Sequence, residues 1–250
     1  MKGTVLYEIK ENIAILTVDN PPVNPLSDGI RTGVYENIIK AQEDDSVIGI
    51  ILTGNGRAFI AGADISEFGG QIEGKTLNEM FEKLEFCTKP VVAAINGLAL
   101  GGGLETALCC NYRIADSKAI VGLPEVNLGL LPGGGGTQRL PRLAGPAEAL
   151  KMMLSGMHIS AKKALDMEII DKISENVVDD SIEFIKEVSK NTEHHPKVRD
   201  FNEKVINARG SDNILLEAQA MAAKTRKGQF APGQIIKCVE SAINIDDFDE

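Results

Sequence analysis

Residues 95–105 read INGLALGGGLE, and the three adjacent glycines in this stretch decide how the rest of the chain is interpreted. Glycine loses more backbone freedom on folding than any other residue, so Gly101, Gly102 and Gly103 are costly in a regular element. They are tolerated where the backbone turns sharply or where another group must come very close to it. A tight loop in an apolar neighbourhood is the simpler alternative, so the surrounding sequence has to decide between the two.

The composition is that of an acidic protein of ordinary domain size. The 250 residues are 43% hydrophobic and 4% aromatic, contain no Trp and carry a formal net charge of −10. This length suits one domain with a small helical appendage. The negative charge argues against nucleic acid or an anionic membrane as the main partner, because both attract basic surfaces. We therefore expect no nucleic-acid partner and no membrane partner.

Neither a metal site nor a nucleophilic triad is indicated by the cysteines and histidines. The four cysteines show no CxxC spacing and no nearby His, and the three histidines have no evident Ser or Cys partner. The first residues lack an apolar signal core, and no run approaches the length of a membrane span. These observations predict a cytoplasmic enzyme without a bound metal.

Hydrophobic periodicity predicts an α/β protein. Apolar and polar residues alternate over 5–9 and 13–18 as in a hairpin, and the apolar runs at 47–52 and 91–95 are typical of strands covered on both faces. Residues 54–64, GNGRAFIAGAD, are predicted as a loop. Helices are predicted over 28–44, 77–86 and 102–109 and from Thr137 onward, and short strands over 112–115, 119–122 and 169–173.

The C-terminal part of the chain has a different pattern. After about residue 177 only helical periodicity remains, and the charge density rises. We therefore expect a core over residues 1–195 and a C-terminal helical region over residues 196–250.

The glycine-rich stretches do not predict a nucleotide site. PGGGGTQ (132–138) lacks the Lys that precedes Ser or Thr in a phosphate-binding loop. GGGLET (101–106) does not match GxGxxG, and no suitably placed acidic residue follows about 20 residues on.

Gly102 and Glu105 together indicate a small acid–base site. If a helix begins near Gly102, the N–H of that residue is unpaired in the first turn and lies at the positive end of the helix dipole. Glu105 lies three residues later, about 4.5 Å along the axis. Its neighbours are apolar, so an unpaired carboxylate there would carry a desolvation cost, and this favours a functional role over a simple dipole contact.

Two further segments supply similar groups. Ala63, in GRAFIAGADISEF (56–68), lies at a turn into a short helix, and its N–H can be a second donor to an enolate-like oxygen. Glu125 follows Pro124 in an apolar loop, where by itself it could equally make a structural hydrogen bond. Two glutamates and two amide donors form a set that acid–base chemistry on a thioester needs.

These segments resemble the crotonase superfamily, the enoyl-CoA hydratases and isomerases. FIAGADISEF (59–68) resembles the first oxyanion segment of the family, NGLALGGGLE (96–105) the second, and LPEVNLGLLPGGGGTQRLPRL (123–143) the segment with the other acid. NPPVNPLS, YRIAD and KGQFAPGQIIKCVESA are most similar to the N-terminal hydratase domain of multifunctional fatty-acid β-oxidation enzymes. The resemblance implies a crotonase-like ββα spiral core with a C-terminal helical region.

The resemblance also implies roles for single residues. The amides of Ala63 and Gly102 would bind the thioester oxygen, Glu105 would activate the water that attacks C3, and Glu125 would deliver a proton to C2. Only modest adjustment of the two carboxylate pKa values is then expected. Coenzyme A belongs to the substrate, so no separate cofactor is expected. Further contacts to substrate or CoA are expected from Val23, Ala61, Gly62, Asp64, Ile65, Gly101, Pro124 and Gly133.

The resemblance leaves alternatives open. Both family glutamates are present, which favours a 2-enoyl-CoA hydratase over a 3,2-enoyl-CoA isomerase, although multifunctional members often catalyse both reactions. A catalytically silent acyl-CoA-binding module is the alternative from another class. The last sixty residues resemble the helices that precede a 3-hydroxyacyl-CoA dehydrogenase domain. We therefore expect either a shortened multifunctional protein or a stand-alone hydratase module, with its oligomeric state open.

Overall fold

The computed structural model of the chain describes residues 3–67, 69, 74–191 and 194–248. The strands in these ranges are β1 (Thr4–Lys10), β2 (Ile13–Asp19), β3 (Gly49–Gly54), β4 (Ala58–Ala61), β5 (Val91–Ile95), β6 (Leu98–Leu100), β7 (Tyr112–Asp116), β8 (Ile120–Gly122), β9 (His158–Ser160) and β10 (Lys172–Ser174). The helices are α1 (Asp28–Glu43), α2 (Leu77–Glu85), α3 (Gly102–Cys109), α4 (Gly136–Ala144), α5 (Pro146–Ser155), α6 (Ala161–Asp166), α7 (Val177–Asn191), α8 (Glu203–Asn207), α9 (Asp212–Thr225) and α10 (Ala231–Asn244).

The larger sheet has the strand order β1-β2-β3-β5-β7-β10. β1 is antiparallel to β2, and the other neighbours are parallel. Along β2, Ala14, Leu16 and Val18 face the main core, whereas Ile13 and Ile15 face a smaller cluster formed with α7. Both faces of the central strands are therefore covered, which explains why their sequences are almost continuously apolar.

The smaller sheet has the order β4-β6-β8-β9 and is parallel except at β9. It lies very close to α3, because Gly103 has no side chain there. A Cβ atom on Gly103 would lie 1.9 Å from the carbonyl oxygen of Ile60 in β4. Gly101 has a φ of +54°, in the region that favours glycine. The glycine run therefore provides both the sharp turn and the close approach.

Several short elements differ from the sequence predictions. The predicted loop over residues 54–64 is wrong in part, because Ala58–Ala61 forms β4. β6 and β9, of three residues each, were not predicted at all. The predicted strands at 47–52 and 169–173 begin two or three residues later. These strands are stabilised by pairing with distant strands, so a local apolar run marks their bounds poorly.

The C-terminal helices pack on the outside of α4 and α5. Ile235, Val239 and Ile243 of α10 are buried in the main core cluster. The division of the chain at residue 195 stays a prediction. No helix within the described ranges is both long and apolar enough to cross a membrane.

Candidate active site

The ends of β4 and β6 bring two main-chain amides together. These parallel strands pair Ala61 with Leu100, and each chain continues for two residues, to Ala63 and Gly102. The distance between the two donors is therefore set by strand pairing. A Cβ atom on Gly102 would lie 3.8 Å from the amide nitrogen of Ala63.

Both amides are oriented away from the regular hydrogen-bond ladders. Leu26 donates its N–H to the Gly62 carbonyl at 2.9 Å and accepts from Asp64 N–H at 3.5 Å. This bridge uses the carbonyl of Gly62 and the N–H of Asp64, so the N–H of Ala63 takes no part in it. Gly102 begins α3, so its N–H has no partner within the helix.

Glu105 lies on the first turn of α3 and is 3% exposed. Its Oε1 atom accepts hydrogen bonds from Gly134 N–H and Gly136 N–H, each at 2.8 Å. Burial raises the pKa of the Glu105 carboxyl, while the two amides and the charge of Arg139 oppose that rise. Two donors on one oxygen favour the ionised form of the Glu105 carboxyl, because a charged oxygen accepts hydrogen bonds more strongly than a neutral one.

Glu125 begins the 3₁₀ helix Glu125–Leu128 and is partly buried. Its Oε2 atom is buried and has no hydrogen-bond partner among the described residues. Burial, followed by the charge of Glu105, raises the pKa of Glu125 to about 8. The expectation of only modest pKa adjustment is therefore wrong for Glu125, and burial is the main cause of the rise.

A largely apolar cavity of about 750 Å³ joins these groups. Ten of the predicted site residues line it: Ala61, Gly62, Ala63, Ile65, Gly101, Gly102, Glu105, Pro124, Glu125 and Gly133. Leu77, Leu100, Leu128, Leu130 and Leu131 provide most of the remaining wall.

Two predicted contact residues lie outside this cavity. Asp64 lines a neighbouring cavity of about 550 Å³, which shares Ala63 and Gly133 with the first. Val23 is among the lining residues of neither cavity in the described chain. Its carbonyl accepts the N–H of Ala61 at 3.0 Å, so it supports β4 instead.

Sequence reasoning missed the residues that hold Glu105. Of this glycine run only Gly133 is among the predicted contact residues, whereas the amides that contact the carboxylate belong to Gly134 and Gly136. Arg139 donates to the Gly134 carbonyl at 3.2 Å and forms a buried ion pair with Glu85. The glycine run was a visible signal for the turn, whereas nothing local marks a contact between positions 85 and 139.

The chain matches a known protein family. The family model described as "Enoyl-CoA hydratase/isomerase" matches residues 8–233. The chain belongs to this family. The predicted crotonase-like α/β fold is confirmed by the family match and by solved structures of the same fold, such as a carnitinyl-CoA dehydratase from Mycobacterium avium 104. That structure is 28% identical, covers 92% of this chain and 95% of its own, and superposes with a TM-score of 0.70.

Curated relatives of this family member differ in length. A "Peroxisomal bifunctional enzyme" of Danio rerio is 41% identical over 239 residues, which are 94% of this chain and 33% of the relative. A "Probable enoyl-CoA hydratase" of Bacillus subtilis is 46% identical over 175 residues, 67% of this chain and 68% of the relative. The chain thus spans about a third of the length of the bifunctional relative, and the predicted similarity to the hydratase region of a multifunctional enzyme is confirmed.

Proposed function

We propose that the chain is an enoyl-CoA hydratase, which adds water syn across the double bond of a trans-2-enoyl-CoA to give 3-hydroxyacyl-CoA in fatty-acid β-oxidation. One observation carries this proposal. Two carboxylates in unlike environments, Glu105 and Glu125, share one cavity with the amides of Ala63 and Gly102.

In this proposal the two amides bind the thioester oxygen. As negative charge develops on that oxygen, donors already fixed in a water-poor site stabilise it without reorganisation. The position of Gly102 at the positive end of α3 adds to the effect. The same polarisation makes C3 susceptible to attack and lets C2 accept a proton.

The unlike environments of the two carboxylates suit opposite roles. The pKa of about 8 keeps Glu125 mostly protonated at neutral pH, so it is fitted to give a proton to C2. Glu105, as a carboxylate held by Gly134 and Gly136, is fitted to take a proton from water. A pair of acids with separated tasks is a common arrangement for acid–base catalysis at one pH.

One turnover consists of the addition of one water oxygen and two proton transfers. The water oxygen bonds to C3 while Glu105 takes one of its protons, and Glu125 transfers its own proton to C2 as the double bond becomes single. Both new bonds form on the face that the glutamates share, which makes the addition syn. Glu105 is left protonated and Glu125 ionised, so one proton must pass between them before the next turnover.

The remaining site residues are assigned to substrate contacts. Ala61, Gly62, Ile65, Gly101, Pro124 and Gly133 line the cavity around the proposed thioester, and Asp64 lies in the adjoining cavity. Coenzyme A enters as part of the substrate, and no further cofactor takes part in the proposed steps. The 3-hydroxyacyl product suits oxidation by a 3-hydroxyacyl-CoA dehydrogenase domain in a longer protein, a partner supported by the greater length of the bifunctional relative. A cytoplasmic location stays a prediction.

The test is loss of the conjugated thioester's ultraviolet absorbance when the purified chain is mixed with trans-2-butenoyl-CoA. We expect turnover in the wild type and a loss of about 10²- to 10⁴-fold in both Glu105→Gln and Glu125→Gln. Glu36→Gln, which changes an exposed carboxylate on α1, is the matched control and should keep full activity.

Other outcomes point to the alternatives. Conversion of a 3-enoyl-CoA that needs Glu125 but not Glu105, without hydration, would show an isomerase. Tight acyl-CoA binding without turnover would show a silent binding module. Either result would refute the hydratase proposal.

A further inference from the structure

The turn that holds Glu105 has little intrinsic rigidity. Gly133, Gly134 and Gly135 precede the first residue of α4, Gly136, and glycines restrict backbone conformation least. Nevertheless, two amides of this turn converge on a single oxygen of Glu105, each at 2.8 Å. Something outside the turn must fix it.

Arg139, in the first turn of α4, contacts the glycine turn. Its Nη1 atom donates to the Gly134 carbonyl at 3.2 Å. It also packs against Gly135, where an added Cβ atom would lie 2.3 Å from Nη1. Arg139 is 6% exposed and does not line the cavity with Glu105, so it contacts the turn and not the proposed substrate.

Glu85, near the end of α2, fixes the other side of the guanidinium. Its Oε1 and Oε2 atoms accept from Nε and Nη2 of Arg139 at 3.0 and 2.7 Å. Glu85 is 2% exposed, and Arg199 lies 3.5 Å from the same carboxylate. A bidentate pair of this kind fixes orientation as well as charge. A buried ion pair usually adds little to the free energy of unfolding, because the cost of desolvating both charges offsets much of their attraction.

The titratable groups around Glu105 that the structure describes come from its own helix and from three other elements. Glu125 belongs to the 3₁₀ helix, Arg139 to α4 and Glu85 to α2, while Cys109 lies on α3 itself. β4 and β6 contribute no titratable side chain. On β7, Arg113 is paired with Asp171 at 3.0 Å.

From this geometry we propose that Arg139 and Glu85 are positioning residues for the hydration. They hold the Gly134 turn against Glu105 and set the electrostatic potential at its carboxyl group. The inference rests on the proposed function but concerns residues that touch neither substrate nor the reacting atoms. The favourable charge of Arg139 opposes the rise in the pKa of Glu105, and the anionic partner Glu85 offsets part of that charge.

Substitutions of Arg139 and of Glu85 are therefore expected to move the pH profile in opposite directions. In Arg139→Gln the cation is lost, so the acid limb of the pH profile of kcat/KM should move to higher pH, by about one unit. In Glu85→Gln the cation remains without its counter-ion, so the limb should move to lower pH. Arg139→Lys keeps the positive charge but loses the bidentate hydrogen bonds to Glu85. This variant should lower kcat, while KM and the acid limb of the pH profile stay near the wild-type values.

A second readout does not depend on turnover. Infrared difference spectra between each protein and its Glu105→Gln counterpart report the protonated carboxyl of Glu105 as a function of pH. The midpoint should rise in Arg139→Gln and fall in Glu85→Gln. If the wild type lacks hydratase activity but these midpoints move in opposite directions, the proposed function fails while the effect of the pair on Glu105 stands.

The matched control is Asp171→Asn, which breaks the ion pair of Arg113 on β7. It should lower the free energy of unfolding without moving either the limb or the midpoint. If Arg139→Gln and Glu85→Gln behave like this control, or shift in the same direction, the pair only supports the fold and the proposal is overturned.

Discussion

The unpartnered carboxyl of Glu125 predicts a specific dependence of stability on pH. In the folded chain its pKa is raised from 4.5 to about 8, with burial as the main cause. Between these values the folded state binds a proton that the unfolded state has released, so the free energy of unfolding falls as the pH rises. Below about pH 4.5 the group costs nothing, and above about pH 8 the full cost is present.

The magnitude follows from the same two values. At about 1.4 kcal/mol per pH unit, the rise in pKa corresponds to an upper limit of about 5 kcal/mol. Glu125 is partly exposed, so solvent screens some of the cost, and we expect about 2–3 kcal/mol. Glu125→Gln keeps the shape and removes the ionisation. This variant should therefore be more stable than the wild type by that amount at about pH 9, although it is expected to be nearly inactive.

The assay is urea unfolding of both proteins at intervals from about pH 5 to about pH 9, followed by circular dichroism. The difference between the two free energies of unfolding should be near zero at the acid end and should open between about pH 5 and about pH 8. Glu36→Gln is the control and should follow the wild type throughout. Parallel curves for wild type and Glu125→Gln would refute the reasoning, because they would mean that Glu125 ionises equally easily in both states.

Two other substitutions test the packing around the site. Gly134→Ala places a methyl group 2.3 Å from Cε2 of Phe81 and 2.8 Å from Oε2 of Glu105. We expect overpacking of about 1–3 kcal/mol, and a displaced carboxylate should lower kcat about 10²-fold. In the control Gly233→Ala the added Cβ meets nothing within 4 Å in the described structure, and steady-state rates that fall equally in both variants would contradict this account. Phe248→Ala removes a ring whose centroid lies 4.5–4.9 Å from three arginine guanidinium groups, Arg139 among them, and should lower the free energy of unfolding by about 1–3 kcal/mol. Unchanged urea unfolding would show that the ring does not stabilise the fold.

Long-range burial explains which elements could be predicted from sequence. β3 and β5 are covered on both faces, so they appear as apolar runs, and α1 and α2 end close to the predicted residues. β4 and β6 are only four and three residues long and exist because they pair with each other across about 40 positions. Such strands have too few residues to show a period of their own.

The site also has features that the sequence predicts and features that it does not. Glu105, Glu125, Ala63 and Gly102 stand in recognisable motifs, and the structure brings all four to one cavity. The pKa of Glu125 could not be predicted, because it depends on burial in the folded chain and on the charge of Glu105, which lies 20 positions away in the sequence.

Glu85 was equally hidden. It lies in an amphipathic helix, and its contacts with Arg139 and Arg199, 54 and 114 positions away, distinguish it from the other charged residues of that helix.

The main-chain origin of the proposed oxyanion donors has a consequence for genetics. Since the N–H groups of Ala63 and Gly102 are made by every residue except proline, ordinary codon changes leave the donors in place and test only the space around them. A Cβ on Gly102 already lies 3.0 Å from Leu26 Cδ1, so a deleterious Gly102→Ala allele would report crowding and not a missing donor. Among the standard residues only proline would remove either donor, and it would change the local backbone at the same time. An amide-to-ester exchange introduced by chemical ligation would delete one donor while leaving every side chain unchanged.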